Sequence, residues 1–215
     1  SDFTVFQDGV EQRIEFFAST EEPINVALLI DTSHSTRPVL GDIKDSARAF
    51  VKLLKPQDKA MIVSFDYDTH ILSPLTSNQD QLRNVIKDLE IPEYFGTTLR
   101  DAIWRTINGA FRGLNGRKAI IVLTDGKDAG SRIRQDDLLY CLQETDTLIY
   151  TVMFKTGERL RAFLPSSSDR DIWMGRFPRP RFPDRRQRQR QERAKVQNAV
   201  AEEFLNELSD VTAGR

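Results

Sequence analysis

Ile24-Asn25-Val26-Ala27-Leu28-Leu29-Ile30 is an almost unbroken apolar run that stops on a carboxylate, Asp31. A run this short and this apolar predicts a strand buried on both faces, as in a parallel sheet covered above and below. The neighbouring sequence supplies the covers. Over residues 42–54 the apolar residues Ile43, Ala47, Phe50, Val51 and Leu54 fall on one helical stripe, which Pro56 ends. Residues 60–65 repeat the buried-strand pattern, and 69–75 offer a further strand. Leu82, Val85, Ile86 and Leu89 mark a second helix, and Leu99, Ala102, Ile103, Ile107 and Ala110 a third. Residues 119–123 form another buried run that ends in Thr124-Asp125-Gly126. A short helix at Leu138, Leu139 and Leu142 and a strand at 148–154 complete the alternation. The expected fold is α/β: a doubly wound, mostly parallel sheet flanked by helices. The return at Asp66-Tyr67-Asp68 is too tight for a crossover helix, so one edge strand is expected to run antiparallel.

The flanks read differently. Residues 3–6 and 12–17 are β-prone and bracket Asp8-Gly9, a hairpin turn signal. Residues 1–22 are therefore taken as an N-terminal β-hairpin lead-in, the end of a preceding β region, and 23–215 as the main domain. After Phe154 the periodicity fails. Residues 155–193 carry Pro165, Pro178, Pro180, Pro183 and an Arg/Gln run, and read as an Arg/Pro-rich insertion that is partly disordered. Helical period returns at Val196, Val200, Phe204, Leu208 and Val211, with a stop signal at Thr212-Ala213-Gly214. A last strand is expected beyond Arg215. With no initiator Met, the sequence reads as part of a longer protein.

Charge follows the same partition. The 215 residues carry a formal net charge of -1. Residues 1–154 hold 17 Lys/Arg against 23 Asp/Glu, whereas 155–195 hold 13 against 5. The body is acidic and the basic charge is confined to the insertion. No stretch approaches the about 18 consecutive apolar residues of a membrane helix, which excludes a span within this chain. The single cysteine, Cys141, excludes an internal disulfide framework and a Cys-based zinc site.

Chemistry gathers where buried strands end, because ligands in open α/β sheets bind outside the carboxyl ends of strands. Asp31-Thr32-Ser33-His34-Ser35 follows the first such strand, and an extended loop there would point residues 31, 33 and 35 the same way. Asp125 ends another strand, and Phe95-Gly96-Thr97-Thr98 opens a helix with a further hydroxyl. The donors are all oxygens with only two carboxylates, a set that suits Mg²⁺ or Mn²⁺ with waters completing an octahedron. So little negative charge leaves a bound dication able to attract an anionic ligand.

Asp31-x-Ser33-x-Ser35, Gly96-Thr97 and Thr124-Asp125-Gly126 resemble the metal-ion-dependent adhesion site (MIDAS) of von Willebrand factor A-type domains. The resemblance covers residues 24–154 and the helix at 196–211. The lead-in Asp2-Phe3-Thr4-Val5-Phe6-Gln7-Asp8-Gly9-Val10 is similar to that of bacterial exported proteins related to this family. The resemblance implies that Ser33, Ser35 and Thr97 ligate the metal, that Asp31 and Asp125 act directly or through water, and that Thr98 competes for the role of Thr97. It further implies metal-dependent binding of a protein ligand that supplies a carboxylate, no catalysis, and an extracytoplasmic setting. His34, and Phe95 before Gly96, depart from the usual pattern without removing an oxygen donor.

Other signals point less far. Asp-x-Ser-x-Ser also resembles a phosphatase nucleophile loop, but Ser33 replaces the second carboxylate and the general acid is missing. A metal-independent scaffold is the other alternative. His34 reads as a solvent-facing loop residue, Asp66 and Asp68 as a solvated turn, Asp128 as a loop or cap residue, and Cys141 as a small helix residue. Arg176 to Arg193 interleave Phe177 and Phe182, but no nucleic-acid fold motif accompanies them, so a solvated charged segment is expected rather than a nucleic-acid surface.

Overall fold

A computed structural model describes residues 4–7, 9–12, 22–156 and 185–212, without the side chains of 5–7, 11–12 and 185–191. Strand β1 (Val5–Gln7) pairs antiparallel with β2 (Val10–Gln12) about Gly9, whose φ of 80° suits a hairpin turn. The pairing begins at Val10, ahead of the expected second run. Residues 13–21 lie outside the described set.

The five-stranded sheet has the order β5-β4-β3-β6-β7, with β3 (Ile24–Asp31) at its centre. It pairs in parallel with β4 (Lys59–Phe65) and β6 (Arg117–Thr124), and β6 pairs in parallel with β7 (Thr147–Met153). Strand β5 (Thr69–Thr76) is the antiparallel edge, set by the turn at residues 66–68.

Alternation along β3 explains its apolar run. Val26, Leu28 and Ile30 pack on one face against α1 (Leu40–Leu53) and α2 (Gln79–Lys87), through Ile43, Val51, Leu82 and Ile86. Ala27 and Leu29 pack on the other face, against α3 (Leu99–Arg105), α4 (Gln135–Gln143) and α5 (Arg185–Val211). A polar residue on either face would be buried, so the strand reads as continuous rather than alternating.

Two boundaries differ from expectation. The stripe at Ile107 and Ala110 is not α-helical: after α3 the chain widens into a π-turn, Thr106–Ala110. Helix α5 starts at Arg185, eleven residues before the apolar period begins, so residues 185–193 are helical rather than irregular. Arg, Gln, Glu and Lys lose little rotamer freedom in a helix, and propensity carries the helix where no apolar face exists. Val196 and Val200 accordingly stand exposed, at 63% and 60%, and only the segment from Ala201 onward buries its face, through Phe204, Leu205 and Leu208. The rest of the expected insertion, 157–184, lies outside the described residues. Among the described residues no helix is long and apolar enough to cross a membrane.

Candidate metal centre

The parallel pairing of β3 with β6 sets Asp31 and Asp125 at neighbouring strand ends, both buried. Asp31 is held entirely by neutral donors. Its Oδ1 accepts from the Ser33 amide at 2.9 Å and its Oδ2 from the Thr124 hydroxyl at 2.5 Å. Burial without a countercharge pushes its carboxyl up to about 6 from 3.8. Hydrogen bonds from Ser33 and Thr124 oppose that rise, and the nearby Asp125 charge adds to it.

Past Asp31 the backbone turns into a short 3-10 helix, His34–Val39. Thr36 fixes this turn: its hydroxyl donates to the carbonyls of Asp31 at 3.1 Å and Ser33 at 2.8 Å. The turn brings the hydroxyls of Ser33 and Ser35 within 3.0 Å of each other. Asp31, Ser33 and Ser35 are thus a single cluster of oxygens.

Asp125 is handled in the opposite way. Its Oδ2 lies 2.7 Å from the Lys127 ammonium and accepts from the Thr156 hydroxyl at 3.1 Å. Lys127 also donates to Thr156 at 2.8 Å, which ties the exit of β7 to this strand end.

The two adjacent threonines differ. Thr98 is committed: its amide and hydroxyl both donate to the Asp66 carbonyl, at 2.7 and 3.0 Å. The Thr97 hydroxyl makes no hydrogen bond among the described residues, while its carbonyl accepts from Ala129 and Gly130, in the loop after β6. Thr97 is therefore fixed through its backbone with its side chain uncommitted.

Asp66 is not a solvated turn residue. It is buried, and its carboxylate accepts from Thr32 at 3.1 Å and lies 3.7 Å from His70 Nε2. It braces the loop after β3 against the turn after β4. His34 is also not solvent-facing: it is half-buried and stacks on Phe95 with centroids 4.1 Å apart. Asp68 is half-buried and pairs with Arg105, and Asp128 accepts from the Arg100 backbone N–H at the start of α3, both in keeping with their expected parts. Sequence analysis quoted Thr124 in its motif without giving it a role, and missed Thr36, Lys127 and Thr156. Lys127 had a signal: it stands two residues past Asp125 in a loop after a strand, where alternate residues share a side.

The donor set fits a hard dication in kind. Among the described residues no group of three or more His, Cys, Asp or Glu could hold a metal, so a softer, nitrogen- or sulfur-rich centre is not built there. What the strand ends offer is hydroxyls and two carboxylates, one of them buried with no cation beside it.

Residues 26–127 match the von Willebrand factor type A domain family. The sheet order and helical layers above are those of the von Willebrand factor type A fold, so the matched stretch and the architecture agree. Solved structures of the same fold include BatB from Bacteroides thetaiotaomicron, at 22% identity and TM-score 0.51 over 60% of this chain and 66% of that one. An aerotolerance-related membrane protein from Bacteroides fragilis, carrying multiple mutations to serines, aligns over 89% of each chain at 16% identity and TM-score 0.60. Proximal thread matrix protein 1 of the mussel byssus, with a zinc-occupied MIDAS motif, aligns over 63% of this chain and 36% of that one at 18% identity and TM-score 0.56. This chain spans between 20% and 66% of the length of the first solved structures it resembles. No curated protein matches the sequence.

Proposed function

We propose that this domain is a metal-dependent protein-binding module, and that Mg²⁺ or Mn²⁺ is held by Ser33, Ser35 and Thr97 with Asp31 and Asp125 close by or through water. The observation that carries the reading is the Ser33–Ser35 hydroxyl pair, set at 3.0 Å on the loop of a buried carboxylate that has no cation of its own. The uncommitted Thr97 hydroxyl supports it. A bound dication would supply the positive charge that Asp31 lacks and present an open position to a carboxylate of the partner. The zinc-occupied site of the mussel protein supports divalent binding at this place in the fold. In the loop after β3, Ser33 stands where a phosphatase nucleophile loop has its second carboxylate, which supports binding over hydrolysis. An extracytoplasmic setting rests on the family resemblance.

One observation favours a metal-independent scaffold instead: the Lys127 ammonium already neutralises Asp125. Calorimetric titration separates the two. Heat from Mg²⁺ or Mn²⁺ binding to wild type, lost in Asp31→Ala, and partner capture abolished by EDTA support the metal-dependent module. A chain that takes up neither ion, or a partner held equally well in EDTA, leaves the scaffold.

A further inference from the structure

A band of rings runs outward from the serine loop. His34, between Ser33 and Ser35 in sequence, stacks on Phe95 at 4.1 Å. Tyr94 follows on the same loop and meets Tyr67 at 5.1 Å, and Tyr67 meets His70 at 6.3 Å. Phe95, Tyr94 and Tyr67 are 79%, 66% and 47% exposed. Phe95 held on His34, and Tyr94 held on Tyr67, put three large rings open to water along one loop and the turn beside it, a patch of the kind that marks interaction sites.

The loop that presents them is fixed in place. A Cβ on Gly96 would lie 2.9 Å from Tyr67 Cβ and 3.0 Å from its Cα, so the loop passes against Tyr67 only because residue 96 is glycine. Charge on the band is negative. Asp66 faces His70 and Asp68 faces Arg105, but Glu93, exposed beside Tyr94, makes no ion pair among the described residues. His34 Nε2 is buried without a hydrogen-bond partner, so the ring nearest the serines also retains an unused polar atom.

We propose that this band is a specificity surface for a protein partner that sets an arginine next to the carboxylate it presents to the metal. The inference rests on the metal-dependent reading for the carboxylate half, and on the band alone for the arginine half. A guanidinium is planar and weakly hydrated, stacks on Tyr faces, and pairs with a carboxylate at its edge. Tyr94, Tyr67 and Glu93 offer that combination. A purely apolar partner would leave Glu93 at the interface without a counter-ion.

The probes are short synthetic peptides that carry one Asp with either Arg or Leu at separations of one to five residues. Their binding to the intact chain is read by interferometry in Mn²⁺ and in EDTA. Arg peptides should bind about five- to tenfold tighter than Leu peptides at the best separation. Tyr94→Ala and Glu93→Gln should each remove most of that preference and leave Mn²⁺ affinity, measured separately by calorimetry, unchanged. Tyr94→Phe, which keeps the ring face, should retain it. Equal binding of Arg and Leu peptides, or a preference that survives both Tyr94→Ala and Glu93→Gln, overturns the proposal. Failure of the metal reading shows separately, as no heat on Mn²⁺ titration, and the arginine preference in EDTA still decides the band.

Discussion

The loops after β3 and β6 start from the same problem and solve it differently. Each ends a buried strand on a buried aspartate, and the two strands are hydrogen-bonded neighbours. The β6 loop carries its own cation, with Lys127 at 2.7 Å from Asp125. The β3 loop carries only neutral donors, and Asp31 is left with its carboxyl raised to about 6. Burying a charge without a partner is costly, and that cost at Asp31 is what supports the proposed dication there. One buried aspartate has a cation beside it and the other has none.

The sharpest way to break this comparison is to remove the incomplete end. Asp31→Ala should lower Mn²⁺ affinity by at least about 100-fold, read by calorimetry, because of the two strand-end carboxylates it deletes the one without a competing cation. An affinity within a few-fold of wild type would mean that Asp125 alone organises the metal.

The next effect is on pH dependence. Asp31 titrates near 3.8 when unfolded and at about 6 when folded. Between those values the native chain holds a proton that the unfolded chain has released, so stability falls as pH rises through this window. The metal-free chain should lose on the order of 2–3 kcal/mol from this group between pH 4 and pH 7, measured by urea denaturation. Asp31→Asn should flatten that slope, and saturating Mg²⁺ should cancel it, since the ion favours the charged carboxylate. A slope unchanged by Asp31→Asn would place its origin elsewhere.

Lys127→Gln sharpens the other half. It takes the resident cation from Asp125, so the metal-free chain should lose about 1–3 kcal/mol of stability. Mn²⁺ affinity should rise about tenfold because the ion no longer competes with an ammonium. A fall in affinity would show that Lys127 organises the site rather than competing for it.

The smallest effect separates the adjacent threonines. Thr98→Ala, which loses the bond to the Asp66 carbonyl, should cost about 1 kcal/mol of stability with metal affinity kept. Thr97→Ala should leave stability within about 0.5 kcal/mol and weaken metal binding instead. Urea denaturation and calorimetry on the same two variants check both halves, and the reverse pattern would reassign the roles.

The fold was legible because its signals are periodic. The run at 24–30 marks the central strand, and the short turn at 66–68 marks the antiparallel edge. The candidate oxygens were legible because strand ends are where the chemistry of such sheets collects. Less legible was everything set by tertiary approach. Nothing local distinguishes Thr97 from Thr98 until the Asp66 carbonyl takes one of them. Asp66 and Asp68 look alike in a polar turn, yet one is buried under Thr32 and the other is half-buried and pairs with Arg105. His34 and Phe95 lie 61 positions apart, and only the packing of the 94–96 loop on Tyr67 brings them together. The polar start of α5 was missed because it has propensity without a stripe.

The central claim, that the β3 loop awaits an external dication, is tested most directly by electron paramagnetic resonance of Mn²⁺ titrated into the intact chain near pH 7.5. The six-line signal of the free ion should stay suppressed until one equivalent is bound by wild type, and should appear from the first addition with Asp31→Ala. A free-ion signal as strong with wild type as with buffer alone, up to millimolar Mn²⁺, would contradict it.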